Sequence, residues 1–537
     1  MAPMTPPHSK SDQRSIGSAR FVAPIVCVLA AVLLVLAARI AFVNLGQYSD
    51  NYDEGVYLES ARLMDHGYPL YRGIFDSQPP LWLVLVDTGF RLFGESVRSG
   101  RLVTSAGFVL TVAALIAAGW QLRGPLAGLL AGGLVLLSPY YLGFARVVEA
   151  EVPSAALAAV GVACAARYAN GGRRRWLVLA SLGVSAGTLV KLLGIYAFPA
   201  LGLSILAHWW QRPARRTERV VHVLADAGIA FGIFVASCAV FMLALGPRLV
   251  WDQAVTFHIV ARTAYHPVST AQNFATLVGF LQHEPILSLG PEQAAKQLSV
   301  LAGVAKLRPS ALLGAPLAAL CLLGGWRGLA ALAWVLFTGA GLVGQQPLFD
   351  HQAATVLPPL ALAIAVGWAQ FLELSQALIR RTLQKPLPLR ALALAGATLL
   401  VVPAVLALVG FAGQVWPAWA AESRLGHSTP AYREDILLAR IVDAHTRPRD
   451  VILTDQQTIA FWANRLAPPG LTDTSFVRIA SGYLAGPQVI SQSEEYHVTM
   501  VVLASGRLRQ LPDVVTWAVR SFNHQIDLGH GRVVYWK

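Results

Sequence analysis

Charge is scarce in this chain: Asp, Glu, Lys and Arg make up 13% of its 537 residues, against 55% apolar residues, and the mean hydropathy is +0.54. That shortage excludes a soluble globular protein of this length, which needs far more polar surface. Cysteine is also rare, and Cys27, Cys164, Cys238 and Cys321 all lie inside apolar runs, so no disulfide framework or Cys-rich metal site is indicated. The formal charge of +13 is no nucleic-acid footprint, because the basic residues sit in short clusters between apolar runs with little aromatic interleaving.

What is abundant is long apolar segments. About eleven spanning helices are predicted, near 21–43, 100–120, 125–144, 152–170, 176–190, 193–209, 222–246, 309–325, 328–345, 353–373 and 391–413. The basic clusters orient them, since short cytoplasmic loops are rich in Lys and Arg. The tail with Lys10, Arg14 and Arg20, the turn at Arg123, Arg173 to Arg175, the run Arg212, Arg215, Arg216 and Arg219, the turn at Arg327, and Arg380, Arg381, Lys385 and Arg390 all fall on one side. The expected protein is therefore a multi-pass cell-membrane protein with a cytoplasmic N-terminal tail, 1–20, and a membrane domain, 21–414. Trp209-Trp210 reads as an aromatic belt at the cytoplasmic interface.

Three segments are then exterior. The first, 44–99, carries two amphipathic stretches that read as interfacial helices. The second, 247–308, contains Asp252, His258, Arg262, His266 and Glu284; His258, Arg262 and His266 share a helical face. The third, 415–537, has period-2 apolar runs at Val451 to Leu453 and Val498 to Leu503 and reads as a small soluble α/β domain. It has no G-x-G-x-x-G, P-loop or H-E-x-x-H and is expected to cap the exterior mouth of the bundle. Asp473-Thr474-Ser475 and Asn523 to His530 in this domain read as turn and loop chemistry.

The ionisable residues that remain stand where apolar runs end on the exterior side. Asp53-Glu54 follows the first run; Arg146, Glu149 and Glu151 follow the third; Lys191 ends the fifth and Asp350-His351 the ninth. Charges at membrane depth cost several kcal/mol unless paired or hydrated, so this convergence marks a candidate site. Snorkelling accounts for Arg146 or Lys191 taken singly, but carboxylates cannot snorkel far.

The order of these pieces resembles the GT-C class of membrane glycosyltransferases, in the branch of the protein O-mannosyltransferases and lipid A aminoarabinose transferases. Asp53-Glu54-Gly55-Val56-Tyr57 is similar to that family's first-loop signature, and Gln78-Pro79-Pro80-Leu81-Trp82 to its Lys-Pro-Pro-Leu-Tyr-Tyr-Trp stretch. Ala145-Arg146 through Glu151-Val152-Pro153, Gly187 to Lys191, and Asp350-His351 with Leu357 to Leu362 resemble its later passages. Gln78 replaces a common Lys and Glu151 a common Asp.

The resemblance implies an inverting transfer of a sugar from a polyprenyl-phosphate donor to an exterior protein, lipid or glycan. Asp53 is the expected base, with Glu54 and Glu151 as further acids at the centre. Lys191, Arg146 and His351 are expected to bind the donor phosphate, and Gln78, Glu149, Asp350, His258 and Arg262 to contact substrate. No cofactor is expected and no metal site is established by Asp53, Glu54 and Glu151 alone; Mg or Mn is the alternative. Two other classes use membrane charges. A transporter or flippase is disfavoured because the acids sit at one surface and no inverted repeat is seen, and a non-catalytic scaffold because both acids and Lys191 are present.

Overall fold

The computed structural model describes residues 10–46, 51–264, 268–281, 319–383 and 430–537. Among these residues, seven helices are long and apolar enough to cross a membrane: Pro24–Ala41, Val97–Arg123, Glu151–Gly171, Leu192–Trp210, Arg216–Leu245, Trp326–Val343 and Asp350–Arg381. The segment expected as one span at 125–144 is a bent pair, Pro125–Leu136 and Pro139–Ala145, turned by 67°. Ser138 caps the second piece through Tyr141 N–H, and Pro139 occupies its first turn, where a missing N–H costs nothing. The 176–190 segment is a 17-residue helix, Arg174–Val190. Of the remaining expected spans, 391–413 lies outside the described residues, and only the end of 309–325 is described, as a short 3-10 turn, Leu320–Gly324.

Small residues set the crossing that matters most. A Cβ on Gly183 would stand 2.8 Å from the backbone nitrogen of Gly161, so the Glu151–Gly171 and Arg174–Val190 helices touch backbone to backbone. Ser154 adds a hydrogen bond to the Gly187 carbonyl at 2.8 Å. This close hairpin brings the start of one helix beside the end of the other, and with them Glu151 and Lys191.

The two stretches expected to lie in the interface are helices, Tyr52–Asp65 and Leu81–Phe93. They pack with Val148, Ala150, Val190 and Phe461 in a second apolar core, separate from the one inside the bundle. Beyond them, Pro247–Trp251, Phe257–Ala264 and Thr270–Leu281 are helical, with one π-helical turn at Asp252–Thr256. His266 and Glu284 lie outside the described residues, as does the Arg262 side chain.

The C-terminal domain holds a four-stranded sheet in the order β1-β2-β4-β3, with β1 Ile452–Thr454, β2 Met500–Leu503, β3 His524–Asp527 and β4 Val533–Trp536. β1 and β2 run parallel; β4 is antiparallel to both its neighbours. Apolar clusters cover both faces. β3 occupies residues expected to be loop; its side chains are largely exposed, so no alternating apolar pattern announced it.

This domain docks on the Tyr52–Asp65 helix. A Cβ on Gly55 would come within 2.5 Å of the Thr458 nitrogen, so only glycine lets the Gln457–Trp462 helix approach this closely. Glu59 accepts a hydrogen bond from Ala467 N–H at 2.9 Å. Arg62 pairs with Glu59 and Glu95, donates to the Phe461 carbonyl and lies 3.9 Å over the Phe461 ring. Burial pushes the Glu59 carboxyl up to about 7 against the pull of Arg62.

Candidate active site

Asn51 is the N-cap of the Tyr52–Asp65 helix: its side-chain oxygen accepts from Glu54 N–H at 2.8 Å, and its amide donates to Glu149 Oε1 at 2.9 Å. This cap fixes where the next residues point. Adjacent helical positions are about 100° apart, so the two acids of the pair part company. Asp53 faces a cavity of 380 Å³, in the range of ligand sites. Glu54 turns into the protein, where both carboxylate oxygens meet the Arg101 guanidinium at 2.6 Å and Oε1 also accepts from Val148 N–H at 3.0 Å. Glu54, expected among the catalytic acids, is absent from the cavity lining, because a buried fork-to-fork pair holds it elsewhere.

Glu151, in the first turn of its helix, is fully buried and ion-paired to Lys191, with His351 Nε2 3.5 Å from the same oxygen. Its other oxygen is buried and has no hydrogen-bond partner among the described residues, and the same holds for Glu149 Oε2. Lys191 reaches the cavity because the chain leaves helical geometry there, at φ −151° and ψ 138°. His351 Nε2 also lies 3.7 Å from Asp53, while Nδ1 faces Asp350 at 3.6 Å. The His351 ring stacks on Phe349 at 5.6 Å between centroids.

Arg146 is buried, donates to the Val43 carbonyl and is absent from the cavity lining. The expected donor-binding role therefore has no direct access through this residue. Gln78, Asp350 and His258 line the cavity; His258 Nε2 is 2.7 Å from the Ser77 carbonyl.

Burial pushes the Asp53 carboxyl upward from its ordinary value, with His351 and Lys191 pulling against that rise. Glu149 is driven well above the usual carboxylate range by the same cause. Asp76, not singled out in the sequence, is driven to about 8 by burial; one of its oxygens accepts from Gln78 N–H and the other has no partner among the described residues.

The C-terminal domain contributes Asp473, Ser475, Phe476, Val477 and Arg507 to the same wall. Asp473 and Ser475, expected as ordinary turn residues, face the cavity because Tyr52 ties this loop down: its hydroxyl donates to Asp473 at 3.2 Å and accepts from Thr474 N–H at 2.8 Å. The Arg507 guanidinium lies 3.7 Å over the Tyr52 ring.

Donor atoms of Asp53, Glu149 and His351 lie within 4.8 Å of one another. Two carboxylates and an imidazole suit a divalent cation, and the orphaned Glu149 oxygen fits that use, whereas Lys191 beside them opposes it electrostatically.

Residues 77–244 match the family model described as dolichyl-phosphate-mannose-protein mannosyltransferase. Comparison with curated protein sequences gives no match. The crystal structure of ArnT from Cupriavidus metallidurans bound to undecaprenyl phosphate superposes with a TM-score of 0.60, at 16% identity, over 95% of this chain and 98% of that one. The chain has the GT-C fold. The apo state of the same ArnT gives 0.59 at 16% identity, over 96% and 98%. The Archaeoglobus fulgidus oligosaccharyltransferase with zinc and sulfate gives 0.46 at 14%, over 88% and 67%. In this GT-C fold the cavity lies where the membrane bundle, the short helices after its first span and the C-terminal domain meet.

Proposed function

We propose that the chain is an inverting glycosyltransferase that moves a sugar from a polyprenyl-phosphate donor to an acceptor outside the cytoplasm. The N-terminus lies in the cytoplasm, and the cavity and C-terminal domain lie outside, as the distribution of arginines indicates. The observation that carries this reading is Asp53: a carboxylate in the first turn of a helix, open to a cavity, beside Lys191 and His351 and with its pair-mate Glu54 held away by Arg101.

Each group then has a chemical task. Asp53 takes the proton of the acceptor hydroxyl as its oxygen attacks the anomeric carbon. The bond from that carbon to the phosphate oxygen breaks, and polyprenyl phosphate leaves with the electron pair. Lys191, neutralised at rest by Glu151, and His351 face the phosphate as its charge grows. Glu149 and Gln78 are placed to contact the sugar or acceptor. Transfer runs on these groups alone; Asp53, Glu149 and His351 are the residues that would hold a divalent cation, which would supply further charge stabilisation at the leaving phosphate.

The test is reconstitution into proteoliposomes with a panel of polyprenyl-monophosphate sugars, with and without chelator. The expected result is one free polyprenyl phosphate formed for each sugar transferred, unchanged by chelator. Passage of intact lipid-linked sugar across the bilayer without cleavage would instead establish a flippase.

A further inference from the structure

The residues of the first loop segment that line the cavity, Asn51 to Gln78, include the acid Asp53 and neither Lys nor Arg, and the C-terminal domain adds the acid Asp473. The membrane helices contribute Lys191 and His351, and both already face carboxylates: Lys191 faces Glu151, and His351 faces Asp53, Glu151 and Asp350. An anionic phosphate entering this wall meets more negative than positive groups unless another cation serves it.

Arg507 is that cation. Among the described residues it forms no salt bridge. Its guanidinium carbon lies over two aromatic rings, 3.7 Å from the Tyr52 centroid and 5.1 Å from that of Phe476. Its one hydrogen bond among the described residues is a long one, from Nη1 to the Asp455 carbonyl at 3.4 Å. A guanidinium fixed by stacking, with its fork of N–H donors little used, is suited to bidentate phosphate recognition.

The loop that carries it is built to hold still. Asp455, at the end of β1, is fully buried and accepts from Ala504 N–H at 2.7 Å, Ser505 N–H at 3.0 Å and Leu508 N–H at 3.3 Å. Asp455 therefore fixes residues 504–508 by their backbone, and Arg507 stands between two of those anchors.

We infer that Arg507 of the C-terminal domain binds the phosphate of the lipid-linked donor, so that this domain completes the donor site rather than merely covering it. This rests on the transfer reading given above. Full-length wild type, Arg507→Ala and Arg507→Lys are to be titrated in detergent with polyprenyl phosphate and, as a control, with the unphosphorylated polyprenol. Arg507→Ala should weaken polyprenyl phosphate binding by about tenfold or more, the scale of one charged hydrogen-bonded contact. Arg507→Lys should fall between the two, since it keeps the charge and loses the fork. Polyprenol affinity should be the same for all three, which also shows that the variants are folded. Equal polyprenyl phosphate affinity for wild type and Arg507→Ala overturns the assignment and leaves the transfer reading standing. Failure of wild type itself to prefer polyprenyl phosphate over polyprenol overturns both.

Discussion

Asp53→Asn should lower turnover by roughly 100- to 10,000-fold, the usual contribution of a positioned acid or base, while leaving the protein folded and donor affinity close to wild type. Asn keeps the size and the first-turn position but cannot accept the acceptor's proton. Folding is spared because Asp53 is only half-buried and belongs to the cavity wall, whereas the helix start is held by the Asn51 cap and by Glu54. The pH profile carries the same signature. A base must be ionised, and burial raises the Asp53 carboxyl, so wild-type turnover should climb with pH through a limb lying above that of an ordinary carboxylate. Purified Asp53→Asn with normal turnover and the same limb would remove Asp53 from the chemistry.

The neighbouring substitution should fail in the opposite manner. Glu54→Ala or Arg101→Met should destabilise the fold by about 3–5 kcal/mol, because each leaves one partner of a buried ion pair uncompensated. Arg101 is 3% exposed and also donates to the Leu45 carbonyl at 3.1 Å; Glu54 is 1% exposed and holds Val148 N–H. The pair therefore ties together the end of the first span, the Tyr52–Asp65 helix and the loop leading to Glu149 and Glu151. Replacing both, as Glu54→Leu with Arg101→Met, should recover part of the loss, since no charge is then stranded. Thermal unfolding in detergent measures all three. Stability like wild type in the single variants, with turnover alone reduced, would return Glu54 to the catalytic acids.

Which parts of this site were legible in the sequence follows from where its charges stand. Asp53, Glu149, Glu151, Lys191 and His351 are ionisable residues at the ends of apolar runs, and the cost of charge near a membrane is enough to single them out. Adjacent acids look alike in sequence. Asp53 and Glu54 are told apart by Arg101, a basic residue at the start of another span whose partner only the packing reveals. Arg146 was singled out by the same cost of charge, but the packing buries it, with one N–H donated to the Val43 carbonyl, outside the cavity lining.

The contribution of the C-terminal domain was illegible. Tyr52 and Asp473 are 421 positions apart, and nothing in either segment announces the other. Arg507 sits in an ordinary Ser-Gly-Arg turn, and its place over Tyr52 depends on the docking of Gly55 against Thr458 and on the Asp455 cage. Seven of the expected spans were readable from hydropathy, but the 67° bend at Ser138 was not, because the apolar pattern runs through it unbroken.

The central claim is a single displacement at the anomeric carbon with Asp53 as base, and the configuration of the product tests it most directly. A polyprenyl-phosphate sugar of defined anomeric configuration, transferred by the wild-type protein and analysed by NMR, should give the opposite configuration in the glycoside formed. Retention of configuration would require a glycosyl-enzyme intermediate or another double displacement, and would contradict the mechanism.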